Sequence, residues 1–255
     1  MPSADSSGQA DGNLQEKVFD FMLEIMEMLA AVIPNGLVGL DSTVVRTRGG
    51  GVAVTVEPSE ELGLRLDIDG AETFRLIVQY RLVLSPVSHL VSVDRSTFKV
   101  NVLGSARPLF TVDYLRDSGS DVPSAHYNVH AERQDMTDAL IATGGRRRGK
   151  IYQKRVAKGD MPRFGDVHFP TGGHRFRPCL EDVLEMMIIE FGIDTVNSAS
   201  AALHEGRRRW RVRQLAAAVS DDPMTAVAEL DRLGFDVIPR EGTEVSPRLD
   251  RLTAL

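Results

Sequence analysis

The chain has 255 residues, of which 42% are hydrophobic and 26% charged, a balance typical of a folded globular protein and not of a disordered one. Its formal net charge of −6 argues against a general nucleic-acid coat protein, although a local basic patch is compatible with it. The single cysteine, Cys179, excludes an intramolecular disulfide and a zinc site built from cysteines.

The N-terminal residues and the hydropathy of the chain bear on its location. Residues 1–12 are polar and lack the basic start and apolar centre of a signal peptide, so we expect them to be disordered. No stretch approaches the ~20 apolar residues of a membrane span. These features predict a cytoplasmic protein that makes no contact with a membrane.

Residues 13–33 predict an amphipathic helix. Val18, Phe21 and Ile25 illustrate the three- and four-residue spacing of its apolar positions, and Pro34-Asn35-Gly36 ends the run. Such a helix has one apolar face, and we expect that face to pack on the core.

From Leu37 to about Glu132 the hydrophobic period changes to two. Residues 74–84 alternate apolar and polar side chains, which predicts a long half-buried strand. Shorter strands are predicted at 43–48, 51–57, 62–68, 90–94, 97–103, 108–115 and 125–132. Because no helical pattern separates these strands, the fold class is α+β with a curved antiparallel sheet.

The domain organisation follows from these patterns. We predict a core domain over 13–193, a C-terminal helical subdomain over 194–240 and a loose tail over 241–255. Within the core domain, residues 139–163 carry many arginines and lysines and predict a mobile basic loop or an irregular hairpin. Its candidate phosphate ligands are Arg146, Arg147, Arg148 and Lys150.

Polar residues occupy every second position at the end of the predicted sheet. Read as a strand, 126–132 places His126, Asn128, His130 and Glu132 on one face and three less polar side chains on the other. Four functional side chains on one strand face are typical of a binding or catalytic site, but also of a structural polar network or of a solvated sheet face.

A second polar cluster follows at 166–177. A β-hairpin turning at Pro170-Thr171-Gly172-Gly173 would place Asp166, His168, Arg175 and Arg177 on one face. This assignment depends on the register, since a slip by one residue would reverse the faces.

Together the two clusters suggest acid–base chemistry on a phosphate group. His126, His130 and His168 are the candidate catalytic residues, since imidazoles can act as general acid and base near pH 7. Arg175 and Arg177 are the candidate phosphate ligands. No cofactor is required, although His126, His130 and Glu132 form an alternative set of ligands for a divalent metal.

The function predicted from these residues is a phosphate-directed hydrolase, acting on RNA or a nucleotide, of the kind found among toxin and defence nucleases. The alternative is a non-enzymatic regulatory module that binds nucleic acid or protein. It would use the arginine-rich segment 207–213 within a helix–turn–helix-like pattern, or a partner or homo-oligomer surface centred on Trp210.

Overall fold

The computed structural model describes residues 5–46, 52–84, 91–118, 122–131, 137, 141, 147–171, 173–238 and 240–254. The α-helices in this part of the chain are α1 (Asp5–Val32), α2 (Arg147–Val156), α3 (Leu180–Phe191), α4 (Ala199–Asp221), α5 (Pro223–Arg232) and α6 (Leu249–Leu252). The strands are β1 (Leu40–Arg46), β2 (Val52–Pro58), β3 (Leu64–Ile68), β4 (Ala71–Leu84), β5 (Val91–Val102), β6 (Pro108–Leu115), β7 (Ala125–Val129) and β8 (Phe169–Pro170). A 3₁₀ turn covers Phe164–Asp166.

The strands form one open antiparallel sheet of eight strands, in the order β1-β2-β4-β5-β6-β7-β8, with β3 beside β4. The prediction of an α+β fold with an antiparallel sheet is therefore confirmed. Neighbours in sequence are mostly neighbours in the sheet, which is the topology expected when turns and short loops connect the strands. No helix in the described residues has both the length and the apolar character needed to cross a bilayer.

The core lies on one face of the sheet. Along β4, Phe74, Leu76, Val78, Tyr80 and Leu82 are buried, and the side chains between them are partly exposed. These buried residues join one hydrophobic cluster with the apolar faces of α1, α3 and α4. The opposite face of the sheet carries polar side chains such as Arg75, Gln79 and Arg81 of β4, and the candidate site lies there.

Helix α1 is held to the C-terminal part of the chain as well as to the sheet. The Val196 amide donates to the Val32 carbonyl over 3.1 Å, and the Ser198 hydroxyl donates to the Ala31 carbonyl over 2.9 Å. The Glu24 carboxylate also pairs with two arginines of α4. The predicted N-terminal helix thus packs on the core and is covered by the last third of the chain.

The structure corrects three predictions of local structure. Residues 5–12, which were expected to be disordered, form the first part of α1. The hairpin predicted over 166–177 is wrong, because Phe169 and Pro170 pair with Tyr127 and His126 of β7 and the chain turns at residues 173–175. The basic segment 139–163 is not a loop throughout, because ten of its residues form α2. Arginine, lysine and glutamine have high helix propensity, and this outweighs the repulsion between their charges.

The C-terminal residues 240–254 include the short helix α6. The Arg248 amide donates to the Asp221 carbonyl over 2.7 Å, and the Arg251 guanidinium donates to the Arg116 carbonyl over 3.1 Å. These contacts fix α6 against the end of α4 and against the turn that follows β6.

Candidate functional site

Strand β7 presents His126 and Asn128 on one face, as the alternation predicts. Tyr127 and Val129 pack against the hydrophobic core, so His126 and Asn128 project from the polar face of the sheet. The strand ends at Val129, and the His130 amide donates to the Leu109 carbonyl over 3.0 Å. His130 therefore lies at the edge of the paired region, where side chains reach solvent more easily.

His126 belongs to a hydrogen-bonded network in the sheet and is itself only 3% exposed. Its Nδ1 lies 2.9 Å from the Pro123 carbonyl, which can only accept, so Nδ1 carries the proton. Its Nε2 lies 4.0 Å from the Asp113 carboxylate. That carboxylate accepts hydrogen bonds from the Thr97 hydroxyl over 2.7 Å and from the Thr111 hydroxyl over 2.9 Å.

His168 lies against His126. The two rings are 4.7 Å apart between centroids and meet edge to face at 67°. This contact brings together two of the three predicted catalytic histidines. His168 belongs to the segment that adds β8 alongside β7, so this segment lies next to His126 at the edge of the sheet.

His130 lines a cleft of about 410 Å³, which we call the His130 cleft. Its polar lining consists of Arg107, His130, Arg155, Arg163 and Asp166. Gly165 closes one wall, and its backbone is so near the imidazole that an added Cβ would lie 2.7 Å from His130 Nδ1. A side chain at position 165 would therefore displace the ring.

The electrostatics of the His130 cleft favour anions. Asp166 fixes Arg155 in an ion pair of 2.8 Å, and Asp160 pairs with the same guanidinium over 2.6 Å. The Arg163 side chain is exposed and forms no ion pair with a carboxylate in the described part of the chain. Arg107 supplies a third guanidinium to the lining.

These surroundings also set the protonation state of His130. Burial lowers its pKa below the usual 6.5, and the positive charge of Arg107 lowers it further, against the opposing effect of Asp113 and Asp166. The imidazole is therefore mostly neutral at pH 7. A neutral imidazole beside cationic side chains can take a proton from a ligand that those cations hold.

Arg175 is not part of the cleft. Its guanidinium makes a bidentate pair with Asp221, at 2.5 and 2.9 Å, and Asp221 is only 1% exposed. Arg248 lies 3.6 Å from the same carboxylate. Because Asp221 ends α4, where the helix dipole disfavours a negative charge, the two arginines are needed to stabilise it.

Arg177 lies inside the protein, on the core side of the sheet. It is 4% exposed and stacks over the Tyr114 ring, with Cζ 3.7 Å from the ring centroid, and under Trp210 at 4.8 Å. Its Nη1 donates to the His174 carbonyl. Burial lowers its pKa to about 10, so it stays charged at pH 7 and acts as a cation–π centre of the core.

The remaining candidates fall in several places. Lys150 is exposed on α2, whereas Arg146 and the side chains of Arg147 and Arg148 lie outside the described residues. Glu132 also lies outside them, so the alternative metal site of His126, His130 and Glu132 stays a prediction. Among the residues that the structure describes, no group of three or more His, Cys, Asp or Glu side chains is placed to hold a metal ion.

The arginines of segment 207–213 are paired within the protein. Their partners are Asp182, Glu185, Glu205 and Glu24, each of which forms at least one ion pair with α4. Trp210 is only partly exposed because it packs on Arg177 and the core.

Arg107 and the role of Gly165 were not predicted from the sequence. Arg107 precedes Pro108 at the start of β6, and β6 pairs with β7 so that Phe110 faces Val129. A residue just before β6 must therefore lie beside a residue just after β7. The proximity of Arg107 to His130 could have been predicted from the order of the strands, since consecutive antiparallel strands usually pair.

Comparison of the chain with protein-family models, with curated proteins and with solved structures yields no match.

Proposed function

We propose that the protein is a phosphate-directed hydrolase that cleaves RNA at the His130 cleft. Its main support is the cleft itself, in which an imidazole of lowered pKa lies among three arginines in a space of about 410 Å³. Such a combination suits a phosphodiester, because arginines hold the anionic oxygens and a neutral imidazole accepts a proton.

In this site the exposed Arg163 binds the phosphate oxygens, and Arg107 and Arg155 in the lining add positive charge. Arg155 is held in place by Asp160 and Asp166. His130 takes the proton of the ribose 2′-hydroxyl, whose oxygen then forms a bond to phosphorus. The bond between phosphorus and the 5′-oxygen breaks, and that oxygen takes a proton from a water molecule. The proton held by His130 then neutralises the hydroxide left behind, which returns the imidazole to its neutral form. The products are a 2′,3′-cyclic phosphate end and a 5′-hydroxyl end.

The other two histidines have a supporting role in this proposal. His126 is buried and hydrogen-bonded at Nδ1, and His168 packs on its ring, so neither is assigned contact with substrate. The contact between their rings and the pairing of β8 with β7 support the part of the sheet next to His130.

The test is incubation of the pure protein with labelled single-stranded RNA and with the same sequence as DNA. We expect RNA to be cleaved to cyclic-phosphate ends and DNA to remain intact, because DNA lacks the 2′-hydroxyl. His130→Ala should slow cleavage at least ~100-fold, the usual contribution of a general base. His204→Ala, which removes an exposed histidine of α4, is the matched control and should cleave like the native protein.

Two results would contradict the proposal. Equal cleavage by the native protein and His130→Ala would remove His130 from the mechanism. Cleavage that is abolished by EDTA and restored by Mn²⁺ would replace the general base with a metal-dependent route.

The alternative, a regulatory module that binds nucleic acid through 207–213, has less support. The arginines there are already matched by carboxylates of α1, α3 and α4 itself, so little positive charge remains for a phosphate backbone. RNA binding without cleavage, insensitive to His130→Ala, would favour this alternative.

A further inference from the structure

A row of lysines follows the outer surface of α2. Lys150, Lys154 and Lys158 are exposed and lie four residues apart, and the first two share one side of the helix. The helix ends at Val156, and Lys158 lies in the turn that follows, where its amide donates to the Arg155 carbonyl over 2.8 Å. Lys150 and Lys154 are separated by about 6 Å along the helix axis.

The opposite side of α2 connects the helix to the His130 cleft. Tyr152 is buried at 4% exposure, and its hydroxyl lies 3.5 Å from the Asp166 carbonyl. Arg155, three residues later, pairs with the Asp166 carboxylate and lines the cleft. The lysine row therefore lies on an element whose inner side forms part of the cleft wall.

The charges of the lysine row are not neutralised in the described part of the chain. None of the three lysines forms an ion pair with a carboxylate there, whereas every arginine of segment 207–213 has such a partner. Of the two basic helices, α2 is therefore the one whose charge is available to a polyanion. This local excess of positive charge contrasts with the formal net charge of −6 for the whole chain.

We infer that the lysine row on α2 is a track for the backbone of single-stranded RNA leading to the His130 cleft. The substrate class is then a polynucleotide strand of several residues and not a free mononucleotide. This inference rests on the proposed function, since it requires a phosphate to be bound in the cleft. Single strands are commonly held by positive grooves that follow the backbone without reading the bases.

The test measures binding of two probes to the full-length protein. One is a fluorescent single strand of about twelve 2′-O-methyl nucleotides, which binds as RNA does but lacks the nucleophile. The other is uridine monophosphate, which reaches only the cleft. The variant K150Q/K154Q/K158Q removes the row, and R208Q/R211Q/R213Q removes the same number of charges from the most exposed arginines of α4.

We expect the lysine variant to bind the oligonucleotide on the order of 10-fold more weakly than the native protein does. The slope of log K against log salt concentration should also be less steep by about two, because fewer counterions are released on binding. Its affinity for uridine monophosphate should be unchanged. The α4 variant should bind both probes like the native protein.

The outcomes separate this inference from the proposed function. Oligonucleotide binding unaffected by the lysine changes, with uridine monophosphate still bound, would overturn the track and leave the cleft proposal standing. A larger loss in the α4 variant would place the strand on α4 and overturn the track. If the native protein bound neither the oligonucleotide nor uridine monophosphate, both the track and the proposed function would be overturned.

Discussion

The substitution Gly165→Ala tests whether the position of the His130 ring matters for cleavage. An alanine Cβ at position 165 would lie 2.7 Å from His130 Nδ1 and 3.3 Å from its Cε1. Ordinary contacts between such atoms begin at about 3.5 Å, so the ring must move by roughly 0.8 Å. The backbone of Gly165 is not in the left-handed region, so alanine adds no backbone strain there.

A displacement of this size is expected to cost about 10- to 100-fold in kcat, since a misplacement of 1 Å can cost about 100-fold. The fold should be retained, because the ring borders an open cleft and can yield. The assay is kcat on the RNA substrate, with the thermal midpoint measured in parallel to confirm that the protein is folded.

The double variant G165A/H130A shows whether the effect passes through His130. If it does, the double variant should cleave no more slowly than H130A alone, because the displaced group is already missing. Cleavage by G165A within twofold of the native rate, at an unchanged thermal midpoint, would refute the assignment of His130 as the base. A further loss in the H130A background would show that Gly165 acts through something else.

Two further predictions concern stability. Burial and nearby arginines lower the pKa of His174 to about 4, so between pH 6.5 and 4 the unfolded chain binds a proton that the folded protein does not. The free energy of unfolding in urea should be higher for the native protein than for His174→Asn at pH 7. This difference should shrink by about 1–2 kcal/mol on going to pH 4, after allowance for solvent screening. An equal difference at both pH values would contradict this. Asp221→Asn should lower the free energy of unfolding by about 2–4 kcal/mol, because this substitution leaves Arg175 without its buried partner. As a control, Glu205→Gln on the solvent-exposed side of α4 should leave the free energy of unfolding unchanged. Equal effects of the last two substitutions would show that burial of the Arg175 pair does not matter.

The sequence predicts well those parts of the fold that depend on local periodicity. The two-residue alternation at 74–84 corresponds to β4, and the helical spacing within 13–33 corresponds to α1. Both signals arise because one side of the helix or strand faces the core, so that apolar residues recur at a fixed spacing within the element itself. The alternation along β7 also placed His126 and Asn128 correctly on one face.

The sequence predicts poorly what depends on distant partners. Arg175 and Arg177 occur beside histidines in the sequence, but their partners are Asp221, 46 residues away, and Trp210. The hairpin failed for the same reason, because Phe169 found its strand partner in β7 and not in the residues after the turn. Turn residues indicate that a chain reverses, but they do not specify which strand it then pairs with.

The contacts between α1 and the residues after 195 have a consequence for synthesis of the chain. The hydrogen bond from Ser198 to Ala31 joins residues 167 positions apart, and at the usual rate of translation on the order of 10–30 s separate their appearance. During that interval the end of α1, where Leu29 and Val32 are fully buried in the finished protein, lacks its hydrogen bonds to Val196 and Ser198. A nascent or truncated chain that stops before residue 196 therefore cannot fix this end of α1, and the last third of the sequence completes the hydrophobic core by adding the apolar residues of α3 and α4.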